Sequence, residues 1–346
     1  MKNLTIGELE ERYSKEKCAE IALSLAGAYA QENNFEKSLE LYETVLSDDA
    51  KNIEALVNSA SINFYNKDYE TALRKYLTAL SVENSAVVCF NLGNIYAELQ
   101  EYQEAEKYYN EALKLEPENA DIYTALGILS QDLNEHYKAF GYYQKAYDMD
   151  SENVEYILNL ACISQRLGNT KKALELYQSA YKKNPDNNEI KLALANLNTS
   201  FDDYEFAFSL YEEILKTEPE HYGALVCAAI AYNTQDNSDK AVEYLKRAIA
   251  IKPLKQNAYA ILGNILIAQK KINEAIELYK YAIKANGEKP QLSMFIANAY
   301  TLSGDISTAL EYYRKAVAQD IGNKENLLVY LEIANEYIER KQNGEL

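Results

Sequence analysis

Histidine and cysteine, the side chains that most often bind metals or catalyse reactions, are rare in this chain. Two histidines and four widely separated cysteines make up the whole set: His136, His221, Cys18, Cys89, Cys162 and Cys227. No CxxC pair, glycine-rich phosphate loop, HExxH motif or nucleophile elbow is present. The sequence therefore predicts no enzymatic activity, no metal site and no cofactor. The cysteines are interpreted as small buried side chains of a protein from a reducing cytoplasm.

Asparagines and carboxylates, by contrast, recur at regular intervals. One series of asparagines consists of Asn58, Asn91 and Asn159. A second series consists of Asn94, Asn196, Asn264 and Asn298. A series of acidic residues consists of Glu20, Glu54, Asp121, Glu155 and Glu189. A carboxamide both donates and accepts hydrogen bonds, and a carboxylate accepts them and attracts cations. The chemistry that these residues offer is therefore binding.

The intervals follow a repeat of about 34 residues that runs through most of the chain. The segments EYQEAEKYYNEALKLEPEN, NTKKALELYQSAYKKNPDN and NSDKAVEYLKRAIAIKPLK align in one register. That register predicts nine units, at residues 19–52, 53–85, 86–119, 120–153, 154–187, 188–221, 222–255, 256–289 and 290–323. With 12 glycines and 5 prolines, the chain has few turn residues for a sheet protein, so helices are favoured.

The second half of each unit carries a small, large, small pattern that is typical of one helix face. In the third unit the pattern is Ala105, Tyr109 and Ala112, at i, i+4 and i+7. Alanine lets two helix axes approach closely, and tyrosine fills the wider gap where the axes diverge. We therefore expect each unit to contain a helix whose alanine and tyrosine face packs on a partner helix.

The ends of these helices are also indicated by residue type. Six of the nine residues that precede the predicted second helices are good N-caps, namely Asn34, Asp68, Asn169, Asp203, Asn237 and Asp305. Proline recurs just after the second helix, where it prevents continuation, at Pro117, Pro185, Pro219 and Pro253. In the first helices Gly93, Gly127 and Gly263 share their slot with alanine, which predicts a close contact there.

Three features together resemble the tetratricopeptide repeat: Leu92-Gly93 followed by Tyr96, the Ala-x-x-x-Tyr-x-x-Ala second helix and the terminal proline. The resemblance covers residues 19–323 and implies an all-α fold, a right-handed α-solenoid (superhelix) of about nine helix-turn-helix repeats. The chain departs from the family pattern because it lacks tryptophan. Lys191 and Ser293 are polar at the slot where that tryptophan is often found, so we expect those two units to pack more loosely.

A stack of repeats leaves an apolar face at each end, which solenoids usually cover with an atypical element. Residues 324–341 are predicted to form a C-terminal capping helix with one apolar face. For residues 1–18 two interpretations stay open. Thr5 and Glu8 form a capping box that starts a short capping helix, or the segment frays.

The resemblance also implies a concave groove, lined by the face of each first helix that points away from its partner. Both asparagine series and the acidic series fall on that face. We interpret the asparagines as hydrogen-bonding the backbone of an extended peptide. The series are similar to the asparagine ladder of the O-linked N-acetylglucosamine transferase superhelix, although Ala125, Ala193 and Ile261 interrupt them. In the alternative interpretation, the asparagines bond neighbouring helices or water and the acids serve only the helix dipole.

The overall charge limits the class of partner. A formal net charge of −18 opposes binding to nucleic acid or to anionic membranes, which require lysine and arginine. No apolar run approaches the roughly 18 residues of a membrane span, and the N-terminal residues are acidic where a secretory signal is apolar. The sequence favours a cytoplasmic protein with a basic or polar protein or peptide partner, and predicts neither nucleic-acid binding nor membrane insertion.

The leading hypothesis for function is a protein-protein interaction scaffold or adaptor that binds an extended peptide or partner protein in its groove. One alternative is a non-catalytic regulatory or substrate-recruiting subunit of a multiprotein enzyme complex. Another is a self-associating structural protein, a homo-oligomer held by outer tyrosines, namely Tyr108, Tyr142, Tyr244 and Tyr312.

Overall fold

The computed structural model describes residues 4–319 and, beyond them, Glu332, Glu336, Glu339 and Arg340. The described residues form α-helices joined by short turns, and none of them lies in a β-strand. The helices pack as successive pairs, so the architecture is an α-solenoid of helical repeats. This confirms the predicted all-α fold class.

The described helices fall into two compact units, which meet within one helix between Ala180 and Tyr181. The first unit contains ten complete helices. They are α1 (Ile6–Lys15), α2 (Ala19–Gln31), α3 (Phe35–Asp48), α4 (Ile53–Tyr65), α5 (Tyr69–Val82), α6 (Ala86–Glu98), α7 (Tyr102–Leu115), α8 (Ala120–Asp132), α9 (His136–Met149) and α10 (Val154–Arg166). Helix α11 (Thr170–Lys183) spans the division between the units.

The second unit continues the same alternation of helices. Its described helices are α12 (Asn188–Ser200), α13 (Tyr204–Thr217), α14 (Tyr222–Thr234), α15 (Ser238–Ile251), α16 (Gln256–Ala268), α17 (Ile272–Asn286), α18 (Pro290–Ser303) and α19 (Ile306–Gln319). We call the even-numbered helices from α2 to α18 first helices and the odd-numbered helices from α3 to α19 second helices.

First helices lie beside one another within each unit. Each pair packs internally, as α6 does on α7 and α14 on α15. The first helix of a pair also contacts the first helix of the next pair, in the series α2, α4, α6 and α8 and in the series α12, α14, α16 and α18. The side of the first helices that is turned away from the second helices is therefore shared by several repeats. We call that side the open face.

The turn inside a pair is built from a left-handed residue followed by an N-cap. Asn33 and Lys67, for example, have φ values of 60° and 63°. The residues that follow them, Asn34 and Asp68, accept hydrogen bonds from backbone N–H groups in the first turn of the second helix. Asp203 and Asn237 cap their helices in the same way, whereas Glu101 makes no such side-chain bond. Short asparagine and aspartate side chains reach the N–H groups that open a helix.

The predicted alanine and tyrosine face forms the core of each pair. Tyr76, Tyr143 and Tyr279 are about 1% exposed, and the alanines on either side of them are buried. Tyr42 is buried to the same extent between Ser38 and Val45. A close contact explains why glycine is found at this position of some first helices. A Cβ atom on Gly93 would lie 2.5 Å from ring atoms of Tyr109, closer than packed atoms approach. The expected close approach is confirmed, and its partner is the tyrosine ring of the same pair.

Looser packing at Lys191 and Ser293 is not observed. Lys191 is only 5% exposed, and its ammonium lies 3.0 Å from a carboxylate oxygen of Glu213. Ser293 is completely buried. The prediction was wrong for Lys191 because a long side chain buries its methylene groups in the aromatic slot while its charge reaches a partner at the surface.

Helix α1 begins with the capping box that Thr5 and Glu8 form, since each side chain bonds the other residue's backbone N–H. Leu9 of α1 packs on Leu25 and Tyr29 of α2. The C-terminal helix predicted at residues 324–341 lies largely outside the described residues. The four that are described there are helical and exposed.

Candidate functional site

The open face is recognised by exposure along each first helix. On α4, Glu54, Asn58 and Ser61 are exposed, whereas Leu56 and Ala60 are buried against neighbouring helices. Exposed residues at i, i+4 and i+7 occupy one side of a helix. The candidate residues predicted from the sequence were assigned to this side of the first helices, and the structure locates each of them.

The five predicted acidic residues all lie in the first turn of a first helix and are exposed, namely Glu20, Glu54, Asp121, Glu155 and Glu189. Within the described part of the chain, none of them forms an ion pair. Asp121 accepts a hydrogen bond of 2.6 Å from the hydroxyl of Tyr156 in the next repeat. Burial and this bond raise the pKa of Tyr156 to about 12. Four of the five acids belong to the first unit.

Two further acidic residues share the open face but were missed by the sequence analysis. Asp132 follows Asp121 by eleven residues on α8, which returns it to the same side of the helix, and it is exposed. Glu98 occupies the corresponding position of α6 and is also exposed. The signal that reveals them is the spacing of three helical turns from the start of each first helix.

The asparagine series that contains Asn94 is bonded to tyrosines within its own pairs. The Oδ1 atoms of Asn94, Asn196 and Asn298 accept hydrogen bonds from Tyr109, Tyr211 and Tyr313, with oxygen separations of 2.8, 2.7 and 2.5 Å. Each tyrosine follows its asparagine by fifteen residues. Burial raises the pKa of Tyr109 and of Tyr211, which shows how strongly these hydroxyls favour the neutral, donating form.

Asn264, the remaining member of that series, differs from the other three. It has the same spacing from Tyr279 but is exposed, and its amide has no hydrogen-bond partner among the described residues. In the second repeat a serine takes the place of asparagine, and the hydroxyls of Ser61 and Tyr76 lie 2.7 Å apart. The slot therefore mainly supplies a hydrogen-bond partner for a buried tyrosine.

The other asparagine series is less constrained. The Asn58 amide bonds the Tyr42 hydroxyl, which partly offsets the rise in the pKa of Tyr42 that burial causes. Asn91 and Asn159 are half-buried, and the described structure contains no hydrogen-bond partner for either amide. Carboxamides without internal partners are those that a ligand can bond.

The outer tyrosines that favoured self-association are packed within their own repeats. Tyr108 stacks on Tyr96 with ring centroids 5.4 Å apart, and Tyr312 stacks on Tyr300 at 5.8 Å. All four, including Tyr142 and Tyr244, are half-buried. Tyr142 and Tyr244 make tilted contacts with Tyr123 and Tyr232. Packing inside each pair of helices therefore accounts for all four tyrosines.

The histidines and cysteines show no grouping that would hold a metal. No cluster of three or more His, Cys, Asp or Glu side chains suited to a metal ion occurs among the described residues. His221 caps α14, because its Nδ1 accepts a hydrogen bond of 3.0 Å from the Ala224 N–H. Cys89 is buried and Cys162 is exposed. None of the helices in the described ranges is long and apolar enough to cross a membrane.

Sequence profiles described as tetratricopeptide repeats match several stretches of the chain. The matched residues are 86–119, 158–217, 227–253 and 262–324, together more than half of the sequence. A comparison with curated proteins found no match.

Two solved structures illustrate the likeness of fold. Pseudomonas aeruginosa pilF aligns with a TM-score of 0.54 and 20% identity, over 61% of this chain and 96% of that one. A tetratricopeptide repeat protein from Parabacteroides merdae aligns with a TM-score of 0.51 and 18% identity, over 72% of this chain and 98% of that one. At these identities the similarity establishes the fold and leaves function to the chain's own residues.

Proposed function

The chain belongs to the tetratricopeptide-repeat family, and from this premise we propose that it is a protein-interaction scaffold that holds a segment of another protein along its open face. Helical repeats present extended binding surfaces because each repeat adds one first helix to a shared face. The observation that carries the proposal is the acidic series of the first unit. Its members are exposed and have no ion-pair partner among the described residues.

The proposed partner of the first unit is a basic, extended segment. Glu20, Glu54, Asp121 and Glu155 lie at the starts of four first helices, and Glu98 and Asp132 add two carboxylates to the same face. Like charges that are held together without counterions attract a cationic ligand and speed its encounter with the surface. A lysine-rich or arginine-rich segment would supply the missing positive charge.

In each unit separately, hydrogen bonds to the backbone of a bound segment are assigned to the asparagines whose amides have no internal partner. Asn91 and Asn159 fit this role in the first unit, and Asn264 fits it in the second. Asn94, Asn196 and Asn298 already accept from tyrosines, so their contribution is limited to their amide N–H groups. Asn58 and Glu189 complete the proposed contact surface.

The test compares two matched pairs of substitutions in the full chain, with binding to a short fluorescent lysine-rich peptide as readout. Glu54→Gln with Glu155→Gln removes two open-face charges, and Glu36→Gln with Glu70→Gln removes two charges from second helices. All four residues are exposed and lie in the first turn of a helix, so the helix-dipole effect is matched.

We expect the open-face pair of substitutions to weaken peptide binding about fivefold at low salt, since each exposed charge contact contributes up to about 1 kcal/mol. The second-helix pair should change binding less than twofold, and added salt should reduce the difference. Equal losses from the two pairs would mean that net charge alone attracts the peptide, and the open face would then not be the binding surface.

A further inference from the structure

A cavity of about 310 Å³ opens on the second unit between α12 and α14. Three lining residues belong to α12, namely Asn196, Thr199 and Ser200, and four belong to α14, among them Cys227, Ile230 and Thr234. Tyr204 and Tyr211 of α13 complete the lining. Ile230 is 46% exposed, although it is a large apolar residue in the slot that asparagine holds in other repeats. The cavity is within the size range of sites that accept small molecules or single side chains.

The lining contains no charged residue, and the hydroxyl groups of its two threonines and of Ser200 are bonded within their own helices. Thr199 donates to the carbonyl of Asn196 at 2.7 Å, and Thr234 donates to the carbonyl of Ile230 at 3.0 Å. Because each hydroxyl is bonded within its own helix, the methyl groups of both threonines remain available to contact an occupant of the cavity. A charged occupant would lose its hydration and find no opposite charge in the cavity, which is unfavourable.

The polar groups deeper in the cavity are also satisfied. The Tyr211 hydroxyl donates to Oδ1 of Asn196 at 2.7 Å. The Asn196 side chain in turn hydrogen-bonds Cys227 and partly offsets the rise in the pKa of that thiol that burial causes. Because these groups bond one another, an apolar occupant would leave neither the Tyr211 hydroxyl nor Oδ1 of Asn196 without a partner.

Residue size accounts for the cavity at this position. The sixth repeat has Thr199 and Ser200 where the second repeat has Phe64 and Tyr65 at the equivalent positions of α4. The smaller side chains leave space beside Ile230.

We infer that this cavity receives a large apolar side chain of the bound partner, of the leucine, methionine or phenylalanine class. The inference rests on the proposed scaffold function and adds a specificity pocket to it. Its basis is the uncharged lining, the exposed Ile230 and the satisfied polar groups, which together favour an apolar side chain over a charged one.

The test uses the full chain and a set of fluorescent peptides built from serine and glutamine with one guest residue. With leucine as the guest, the peptide should bind about tenfold more tightly than with alanine or aspartate, since burying a leucine side chain contributes roughly 1.5 kcal/mol or more. The lysine-rich peptide described above is measured in parallel.

Two variants test whether the preference for the leucine peptide arises in the cavity. Thr199→Phe with Ser200→Tyr fills it with the residues of the second repeat, and Ile230→Asn restores the asparagine of other repeats. Both should reduce the leucine preference to less than about threefold. Ile128→Asn is the control, because Ile128 occupies the same slot of α8, is 49% exposed and lies outside this cavity.

The outcomes separate the inference from the proposed function. If the lysine-rich peptide binds but leucine gives no advantage over alanine, or if both cavity variants keep that advantage, the pocket assignment is wrong and the scaffold proposal stands. If no peptide of either set binds, both are wrong. Circular dichroism of each variant verifies that its helices are retained.

Discussion

The open faces of the two units differ in charge although the repeats beneath them are built alike. In the first unit, four of the five first helices begin with an exposed acid, and only α6 has an apolar residue, Val87, at that position. In the second unit only α12 has an acid there, while α14, α16 and α18 have Gly223, Asn257 and Gln291. The difference teaches that the packing face of a first helix is constrained by its pair, whereas the open face is free to vary with the partner.

The bond between tyrosine and asparagine, in contrast, is common to both units. Asn94 and Tyr109 form it in the first unit, and Asn196 and Tyr211 form it in the second. A buried hydroxyl needs a partner wherever it occurs, so this pairing follows from the internal packing of the repeat. The two units therefore share their internal hydrogen bonds and differ in the chemistry of their open faces.

Both units contain buried tyrosines, so both should unfold at alkaline pH. We expect this to be the largest of four predicted effects. Burial raises the pKa of Tyr177 in the first unit and of Tyr279 in the second to about 12, above the ordinary value of about 10. The folded state therefore favours neutral tyrosine. The stability from this preference is fully present below about pH 10 and is lost as the pH rises toward about 12. Helical circular dichroism should fall together with the last part of the rise in tyrosinate absorbance, which comes from the buried tyrosines.

Complete titration of all the tyrosines near pH 10 with full retention of helix would contradict this expectation. Hydrogen-exchange mass spectrometry across the same range distinguishes the units. Burial raises the pKa values of Tyr109 and Tyr143 in the first unit, and of Tyr211 in the second, further still. Since two such tyrosines belong to the first unit and one to the second, we expect the first unit to lose protection no later than the second.

Alanine at the glycine slot should destabilise both units. Gly93→Ala in the first unit and Gly263→Ala in the second would each place a Cβ atom against a buried tyrosine. We expect a loss of about 1–3 kcal/mol in the free energy of unfolding, measured by urea denaturation. Gly141→Ala is the control, since no neighbouring atom lies within 4 Å of the added Cβ there. It should stabilise α9 by about 0.5–1 kcal/mol, and equal effects at the three positions would reject the close-contact explanation.

Substitution of individual asparagines should separate internal from open-face roles. Asn94→Ala and Asn196→Ala each remove the acceptor of a buried tyrosine hydroxyl and should cost about 1–2 kcal/mol of folding free energy. Asn91→Ala and Asn159→Ala should change stability by less than about 0.5 kcal/mol, since neither amide bonds a described residue. Thermal and urea unfolding of the four variants measure this. A large loss at Asn91 would assign that residue to the internal hydrogen bonds.

The smallest expected effect comes from transferring the acidic pattern to the second unit. Asn257→Asp with Gln291→Glu adds two carboxylates at the starts of α16 and α18, where the first unit has its acids. Affinity for the lysine-rich peptide should rise about two- to threefold at low salt, and the gain should vanish at high salt. The isosteric Glu54→Gln and Glu155→Gln change supplies the reverse comparison. No gain would mean that the second unit differs in more than charge.

Residue spacing alone was enough to predict the pairs of helices and their buried alanines and tyrosines. These features follow from spacings within one helix and from short turns, which a single unit specifies locally. The N-caps at Asn34 and Asp68 were predictable for the same reason, since a cap bonds backbone groups only three residues away.

The tertiary structure alone decided which polar groups are used internally and where space remains. The spacing of fifteen residues between Asn94 and Tyr109 is visible in the sequence, but the bond depends on how two helices cross. Asn264 has the same spacing from Tyr279 but is exposed, and no feature of the sequence pattern distinguishes it from Asn94. The cavity beside Ile230 depends in the same way on the distance between neighbouring first helices. Such distances come from the packing of whole side chains across separate helices, which residue spacing does not specify.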